Sequence, residues 1–517
     1  MRLDARRRPT LVKAPTYFAR RETVVGHIVG LSLTIGGLGM LAASIVERID
    51  GGPDASTLLT SALLIGVPGA ALWNRTKPSE RLSPASIFAA VLSSWIALSL
   101  VGVLPYLATG TFANFNEALF EAISGFTTTG STVLRPIEGA SKGILFWRAI
   151  TQWMGGIGVV VFAVSVLPFL GIGGMDLMAA EAPGPSSERL VPRVRETAKR
   201  LVLLYLGFTT VVATLYALFG MSPYDAVAHA FTTVSTGGYS PYNASFAHFD
   251  SAALEWIAIA AMVFAGGSFA MWWRALLGKP FAIIRSAEFR AYLAIISLVA
   301  FVALAWNVAD QGFSHDLARR TIFSTTSLST STGYTLLDYD QWRGAVHLLL
   351  IFSMGLGGMA GSTTGGFKVF RLLAVLSYGR RQMFRHLHPR AVDVVRLGGD
   401  VVPDRIVARV VGFFGFFMAI GGLATFLVAA LSGTDPVTAI SSVAQSIGNV
   451  GPGLGEVGPT MDYLSLERPA RGVLVVVMLF GRLEVFPVLL GLVPFMRFLA
   501  DRLPPRMAQS VTRVFRG

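Results

Sequence analysis

The sequence contains no cysteine. This absence excludes disulfide bonds, thiolate metal sites and cysteine nucleophiles. Charged residues are also scarce, at 14% of 517 residues, whereas hydrophobic residues make up 53%, and the mean hydropathy is +0.59. Soluble domains carry about 25% charged residues, so this composition indicates that lipid surrounds most of the chain.

The usual features of an enzyme's active site are missing as well. The sequence has no histidines with metal-ligand spacing, no paired catalytic carboxylates and no nucleotide-binding fingerprint. Phe367 separates Gly366 from Lys368, and neither serine nor threonine follows the lysine, so the spacing of a phosphate-binding loop fails. We therefore expect a protein that is not an enzyme and binds no cofactor covalently.

The formal net charge is +13, and the placement of the basic residues explains it better than nucleic-acid binding does. They concentrate in alternate connections between apolar stretches: 1–22, 75–81, 189–200, 274–290, 371–396 and the tail after 497. The connection 221–252 contains neither lysine nor arginine. Under the positive-inside rule, this alternation predicts that both termini are cytoplasmic and gives no reason to expect a nucleic-acid partner.

Long apolar stretches recur along the whole sequence. A helix needs about 20 apolar residues to cross a hydrocarbon core of roughly 30 Å. Ten stretches meet this length: 23–46, 57–74, 84–109, 145–171, 199–220, 253–275, 288–308, 343–378, 404–431 and 469–497. The first follows a basic leader but is longer than the apolar core of a signal peptide, so we interpret it as a retained span.

Four of the connections between these stretches share one pattern. Each has a helix-start signal, then a semi-polar segment too short to span a membrane, then small polar residues and glycine. The start signals are Asn116, Ser222 with Pro223, Ser314, and Asp435 with Pro436. The segments end in Thr128, Thr129, Gly130; Ser235, Thr236, Gly237; Ser331, Thr332, Gly333; and Asn449, Val450, Gly451. We take Gly130, Gly237, Gly333 and Gly451 as equivalent.

This repetition predicts an all-α membrane protein with pseudo-fourfold symmetry. Each repeat would be a span, a re-entrant pore helix and a second span (M-P-M), giving ten spans and four pore helices around one pore. Non-helical backbone lies at membrane depth only where protein buries it or water reaches it. Carbonyl groups of such segments replace the hydration shell of a monovalent cation, so the four endings are candidate selectivity-filter residues. The alternative is that these small residues only let membrane helices pack closely.

The predicted domain organisation follows the repeats. Residues 1–22 form a cytoplasmic basic leader and 23–83 hold two additional spans. The repeats occupy 84–198, 199–287, 288–403 and 404–517, the last including a cytoplasmic tail.

Several motifs strengthen the interpretation. The sequence reads WRAITQWMGGIG over Trp147–Gly158, EAPGP over Glu181–Pro185 and PRVRETAKR over Pro192–Arg200. With the four single filter glycines, these motifs resemble the Trk/Ktr/HKT superfamily of cation transporters over nearly the whole chain. The last two motifs are more similar to the Trk branch than to the shorter KtrB subunits.

The resemblance implies a potassium-permeable pore in the bacterial cytoplasmic membrane. It also implies a homodimer and a cytosolic nucleotide-binding regulatory ring of TrkA type. The expected potassium-contacting residues are Thr128, Thr129, Thr236, Thr332, Asn449 and Val450. In related HKT proteins a serine at the first filter glycine accompanies sodium transport, whereas this sequence keeps glycine there. The fourth segment has no threonine beside its glycine, so we expect potassium preference rather than strict selectivity.

A glycine-rich stretch interrupts the eighth apolar stretch, from Gly355 to Lys368, and such density of glycine disfavours a continuous helix. In the superfamily it implies an intramembrane loop that blocks the inner pore. The candidate gate residues are Gly357, Gly358, Gly361, Gly365, Gly366, Lys368 and Arg482. Lys368 either fixes the closed loop or extends to the cytoplasmic interface. Arg482, within the last span, is either an electrostatic barrier at the gate or part of a structural pair.

Other assignments stay open at this point. The alternative functions are a proton- or sodium-coupled potassium symporter and a sodium-permeable member of the same superfamily. We expect His229 to be a hydrogen-bonded structural residue. Outer acidic residues either concentrate cations at the mouth or cap helices; they are Glu121, Asp225, Asp338, Asp340, Asp435 and Glu456.

Overall fold

The computed structural model describes residues 22–76, 84–170, 190–342, 344–391, 393–398 and 400–500. The basic leader before Glu22, the Glu181–Pro185 motif and the tail after residue 500 lie outside the described residues.

The described chain is mainly helical. Its first helices are α1 (Glu22–Asp50), α2 (Ala55–Arg75), α3 (Pro84–Ala108), α4 (Phe115–Phe126), α5 (Lys142–Leu170), α6 (Leu190–Leu218), α7 (Pro223–Val234), α8 (Ala252–Ala265) and α9 (Phe269–Leu276). The others are α10 (Phe281–Arg285), α11 (Ala287–Gln311), α12 (His315–Ser329), α13 (Gly344–Leu356), α14 (Val369–Leu387), α15 (Asp404–Ser432), α16 (Pro436–Gly448), α17 (Arg468–Leu483) and α18 (Val485–Ala500). A two-stranded antiparallel hairpin, β1 (Arg396–Leu397) and β2 (Asp400–Val401), follows α14.

Among the described residues, seven helices are long and apolar enough to cross a membrane, or nine if each of two bent helix pairs is one span. The bent pairs are α8 with α9, at 100°, and α17 with the first part of α18, at 102°. The sequence predicts one span each at 253–275 and 469–497, whereas the structure bends both stretches. The stretch 343–378 is the short apolar helix α13, a loop and α14.

The order of elements repeats. After the α1–α2 hairpin, a long helix is followed four times by a short helix of 12 to 15 residues, a turn and another helix. The short helices are α4, α7, α12 and α16. Three begin where the sequence predicted, with Ser222, Ser314 and Asp435 each accepting a hydrogen bond from a first-turn N–H. The first begins earlier, since its N-cap is Asn114 and Asn116 lies in its first turn.

Candidate functional site

Four turns follow the four short helices, and all have the same hydrogen-bond pattern. In each, one backbone N–H donates to the carbonyl five residues earlier, and the preceding N–H donates to the carbonyl three residues earlier. This pair of bonds is the Schellman motif, which has a left-handed residue at its centre. The left-handed residues are Thr128, Thr236, Ser331 and Asn449, with φ angles of 53°, 54°, 55° and 52°. We call the segments 127–130, 235–238, 330–333 and 448–451 the ring turns.

The last residue of every ring turn is a glycine with positive φ. These glycines are Gly130, Gly238, Gly333 and Gly451, with φ angles of 85°, 76°, 81° and 109°. The sequence-based equivalence was therefore wrong by one residue in the second repeat. Gly237 occupies the position of Thr129, Thr332 and Val450, and Gly238 occupies the position of the other glycines. The sequence could not show this shift, because Gly237 and Gly238 are adjacent and either could be the equivalent residue.

The ring turns close on each other in chain order. A Cβ atom added to Gly130 would collide with the carbonyl oxygen of Gly237, and one on Gly238 with that of Thr332. The same relation links Gly333 to the carbonyl of Val450 and Gly451 to the carbonyl of Thr129, at 2.9 Å. Each glycine thus packs without a side chain against the backbone of the next repeat, and the fourth repeat closes on the first.

Side-chain oxygens and helix ends give this ring a negative character. Among the described residues, the buried Thr128 Oγ1, Ser331 Oγ and Asn449 Oδ1 have no hydrogen-bond partner. These oxygens belong to equivalent positions of three repeats. The C-termini of the four short helices also end at the ring, and each carries a partial negative charge of about half an electron. A cation is the ligand that such a site favours.

One cavity of about 330 Å³ adjoins the ring, and all four terminal glycines line it together with residues that follow the ring turns. Tyr242 lies in its wall and donates a hydrogen bond to Asp225 Oδ1 at 3.0 Å. Burial and the charge of Asp225 raise the pKa of Tyr242 to about 12, so this side chain stays neutral. Arg135, at the rim, pairs with Asp462 at 3.1 Å.

The Trp147–Gly158 motif supplies two residues that support the ring and that the sequence did not mark as candidate site residues. Arg148 Nε pairs with Glu121 Oε1 at 2.8 Å, and both side chains are fully buried. Gln152 Nε2 donates to the carbonyl of Gly237 at 2.7 Å, and Gln152 Oε1 accepts from the N–H of Tyr239 at 3.1 Å. Glu121 therefore lies behind the ring rather than at an open mouth. Arg148 and Gln152 are polar residues within the otherwise apolar stretch 145–171, and this contrast was the sequence signal for their role.

Four of the other five candidate acidic residues accept hydrogen bonds through their side chains: Asp225, Asp338, Asp340 and Asp435. Asp225 and Asp435 lie at short-helix N-termini, and Asp338 accepts from the N–H of Asp340. Asp340 in turn accepts from the N–H of Gly455 at 2.8 Å. His229 is buried, with Nδ1 2.9 Å from the Asp225 carbonyl and Nε2 3.1 Å from Ser240 Oγ, which is the structural setting we expected.

The glycine-rich loop 357–368 packs beneath the ring. A Cβ on Gly365 would lie 2.5 Å from the carbonyl oxygen of Gly448 and 2.9 Å from Asn449 Cβ. Thr363 Oγ1 lies 3.2 Å from the carbonyl oxygens of both Val234, at the end of α7, and Ala265, at the end of α8. The loop therefore contacts the second and fourth repeats directly.

Lys368 folds back into this loop. Its side chain is only 8% exposed, and Nζ donates to the carbonyl of Thr364 and lies 3.2 Å from Thr364 Oγ1 and 3.4 Å from Ser362 Oγ. It does not extend to an interface. Four conformationally special positions fall in the same loop, since Gly357, Gly361, Gly366 and Lys368 all have positive φ.

Arg482 joins the loop to the first repeat. Its guanidinium donates to the carbonyl of Thr363 and to the carbonyl of Gly155, the latter at 3.0 Å, and the residue is 2% exposed. The nearest acidic residue in the sequence, Glu484, does not pair with Arg482, because Glu484 Oε2 pairs with Arg371 at 2.6 Å. Two carbonyl dipoles from different elements thus surround the Arg482 charge.

Several helices apolar enough to cross a membrane, arranged with a buried ring that favours a cation, are the features of a multi-pass membrane protein for cation transport. A family model for the cation transport protein TrkH matches residues 55–309 and 310–496. The chain belongs to the TrkH family.

Similar proteins agree over most of the length. The Trk system potassium uptake protein TrkH of Vibrio parahaemolyticus is 37% identical over 477 residues, which cover 90% of this chain and 98% of that protein. The protein of the same name from Escherichia coli K12 is 34% identical, over 91% and 98% of the two chains. The crystal structure of the potassium transporter TrkH from Vibrio parahaemolyticus matches with a TM-score of 0.83, covering 92% of this chain and 99% of that one.

Proposed function

We propose that this chain takes up potassium across the bacterial inner membrane through one gated pore. The relatives named as potassium uptake proteins support the ion. The observation that carries the proposal is the closed ring of four turns, in which every terminal glycine packs on a carbonyl of the next repeat. Four backbone segments around one axis offer carbonyl oxygens that replace the hydration shell of a monovalent cation.

The selectivity filter in this proposal consists of the residues from the left-handed position to the terminal glycine. These residues are 128–130, 236–238, 331–333 and 449–451. Thr128, Thr129, Thr236, Thr332, Asn449 and Val450 would contact potassium, and Gly237 joins them as the equivalent of Thr129. Ser235, which precedes the left-handed Thr236, supports the filter rather than forming it.

The proposal includes the arrangement of the helices in the membrane. Four M-P-M repeats with α4, α7, α12 and α16 as re-entrant pore helices, preceded by two more spans, give ten spans in all. The repeated order of elements supports this arrangement. In this proposal both termini are cytoplasmic, which an even number of spans and the basic connections support.

The 357–368 loop is the proposed gate. It lies against the ring at Asn449, and Lys368 and Arg482 hold it there through backbone carbonyls. The partners in this proposal are a second copy of the chain and a cytosolic nucleotide-binding ring of TrkA type. A change in the cytosolic ring would withdraw the loop from the pore.

Replacement of Gly130 by serine tests the filter. Purified protein in liposomes is assayed for the potassium-to-sodium permeability ratio from reversal potentials. The variant Gly130→Ser places a Cβ at a φ of 85° and against the Gly237 carbonyl, so we expect the ratio to fall about tenfold. Gly415→Ser is the control, since a Cβ there meets nothing within 4 Å. An unchanged ratio in Gly130→Ser, with transport intact, rules out this filter.

A further inference from the structure

The residue that follows each terminal glycine differs among the four repeats. These residues are Ser131, Tyr239, Tyr334 and Pro452. Three carry a hydroxyl group and one is a proline. They sit where the chain leaves the ring, so their side chains are placed to reach a neighbouring repeat.

Tyr334 of the third repeat reaches the short helix of the second. Its hydroxyl donates to the carbonyl of His229 at 3.0 Å and lies 2.5 Å from Thr232 Oγ1 and 3.0 Å from Thr233 Oγ1. The side chain is fully buried. One phenolic oxygen thus contacts three positions on the last two turns of α7, just before the second ring turn.

Tyr239 of the second repeat reaches the first in the same way. Its hydroxyl lies 3.2 Å from the carbonyl oxygen of Glu121 in α4 and 3.1 Å from that of Ser131, immediately after the first ring turn. The guanidinium carbon of Arg148 stands 4.0 Å from the centre of the tyrosine ring. The buried Arg148 cation therefore contacts one face of the Tyr239 aromatic ring, and this contact fixes the direction of the tyrosine hydroxyl.

The other two junctions are different. Ser131 Oγ lies 3.0 Å from the carbonyl oxygen of Gly451 and 3.2 Å from Gln445 Oε1, so a short side chain links the first repeat to the fourth. Pro452 has no donor, and its Cδ lies 3.0 Å from the place where a Cβ of Gly333 would stand. The junction between the third and fourth repeats is thus packed by apolar contact at this position.

We propose that Tyr239 and Tyr334 are specificity-determining positioning residues, whose hydroxyl groups hold neighbouring repeats at a fixed separation and so set the width of the filter. Where selectivity depends on cavity size, a ring of carbonyl dipoles discriminates between cations because it resists contraction around the smaller one. Hydroxyl bonds across two junctions oppose that contraction without touching the ion. The inference rests on the proposed function and adds which residues outside the filter tune it.

Removal of the hydroxyl groups alone tests this proposal. Full-length Tyr239→Phe, Tyr334→Phe and the double variant are reconstituted in liposomes, and the potassium-to-sodium permeability ratio is measured. Phenylalanine keeps the aromatic packing, so we expect potassium flux to persist while each single change lowers the ratio about two- to tenfold. Tyr292→Phe is the matched control, because its buried hydroxyl donates to the Val263 carbonyl at 3.0 Å, away from the ring.

Thr232→Val supplies a second route to the same contact. It removes the Thr232 oxygen that faces the Tyr334 hydroxyl, and should lower the ratio even if Tyr334→Phe fails to fold. Combined with Tyr334→Phe, it should add little, because both changes remove one interaction. A wild-type potassium-to-sodium permeability ratio in Tyr239→Phe, Tyr334→Phe and Thr232→Val overturns the proposal that these hydroxyl groups set the width of the filter. A wild-type protein that passes sodium as readily as potassium overturns the proposed function itself.

Discussion

The left-handed position of each ring turn is occupied by Thr128, Thr236, Ser331 or Asn449, none of which is glycine. Each such residue costs on the order of 1 kcal/mol or more, which the surrounding structure must offset. Glycine is instead retained two positions later, where a neighbouring carbonyl leaves no room for a Cβ. Three of these four glycines could be predicted from the sequence, but Gly237 and Gly238 are chemically identical neighbours that only backbone geometry distinguishes.

A pair of alanine variants tests the corrected register. Gly238→Ala places its Cβ at a φ of 76° and against the backbone carbonyl of Thr332, whereas a Cβ on Gly237 meets the Gln152 side chain. Side chains shift more easily than backbone, so we expect Gly238→Ala to lower the potassium-to-sodium permeability ratio more than Gly237→Ala does. The ratio is read from reversal potentials in liposomes. The opposite order would restore Gly237 as the equivalent residue.

Among the helices, three breaks lie close together: the break between α8 and α9, the 357–368 loop between α13 and α14, and the break between α17 and α18. The break between α8 and α9 bonds to the 357–368 loop, with Met359 N donating to the Gly266 carbonyl at 2.9 Å and Phe269 N donating to the Gly361 carbonyl at 3.1 Å. The break between α17 and α18 holds Glu484, which has positive φ and pairs with Arg371 just after the loop. The density of glycine predicted the 357–368 loop but neither of the other two breaks. Glu484 interrupts an apolar stretch, and its partner is more than a hundred residues away in sequence, so no local pattern revealed the bend.

Changes at Arg482 test whether the 357–368 loop and the helix breaks that contact it form the gate. Arg482→Gln loses charge-assisted bonds to the loop and to α5, each worth about 1.5–3 kcal/mol, so we expect basal potassium flux without the cytosolic partner to rise at least about tenfold. Deletion of Met359–Gly365 sets the upper limit. Arg482→Lys keeps the charge but lacks the planar fork, so raised flux there shows that loop attachment matters beyond charge.

Arg471→Gln is the control for these variants, because Arg471 lies near the opposite end of α17 and is also buried. Basal flux of wild-type size in Arg482→Gln, alongside raised flux in the deletion, would remove Arg482 from the gate while leaving the loop in place.

At the scale of the whole molecule, the sequence was sufficient for the helical class, the fourfold order of elements and most of the ring. Repetition of one local pattern carried that information, because each short helix has its own cap and its own small residues. The contacts between repeats were not predictable, since Tyr334 and Tyr239 reach partners about a hundred residues away. The fourth repeat differs most in sequence, yet Asn449 and Gly451 have the same backbone form as their counterparts.

The measurement that separates a pore from a symporter is the reversal potential of the purified protein in liposomes, under a fixed potassium gradient and an imposed pH gradient. A pore with a potassium-preferring filter responds to the potassium gradient, so we expect the reversal potential to stay near the potassium equilibrium value when the pH gradient is reversed. Repetition with an opposing sodium gradient extends the test to sodium coupling. A reversal potential that moves with the pH or sodium gradient, in the fixed ratio of a symporter, would show coupled transport and rule out a passive pore.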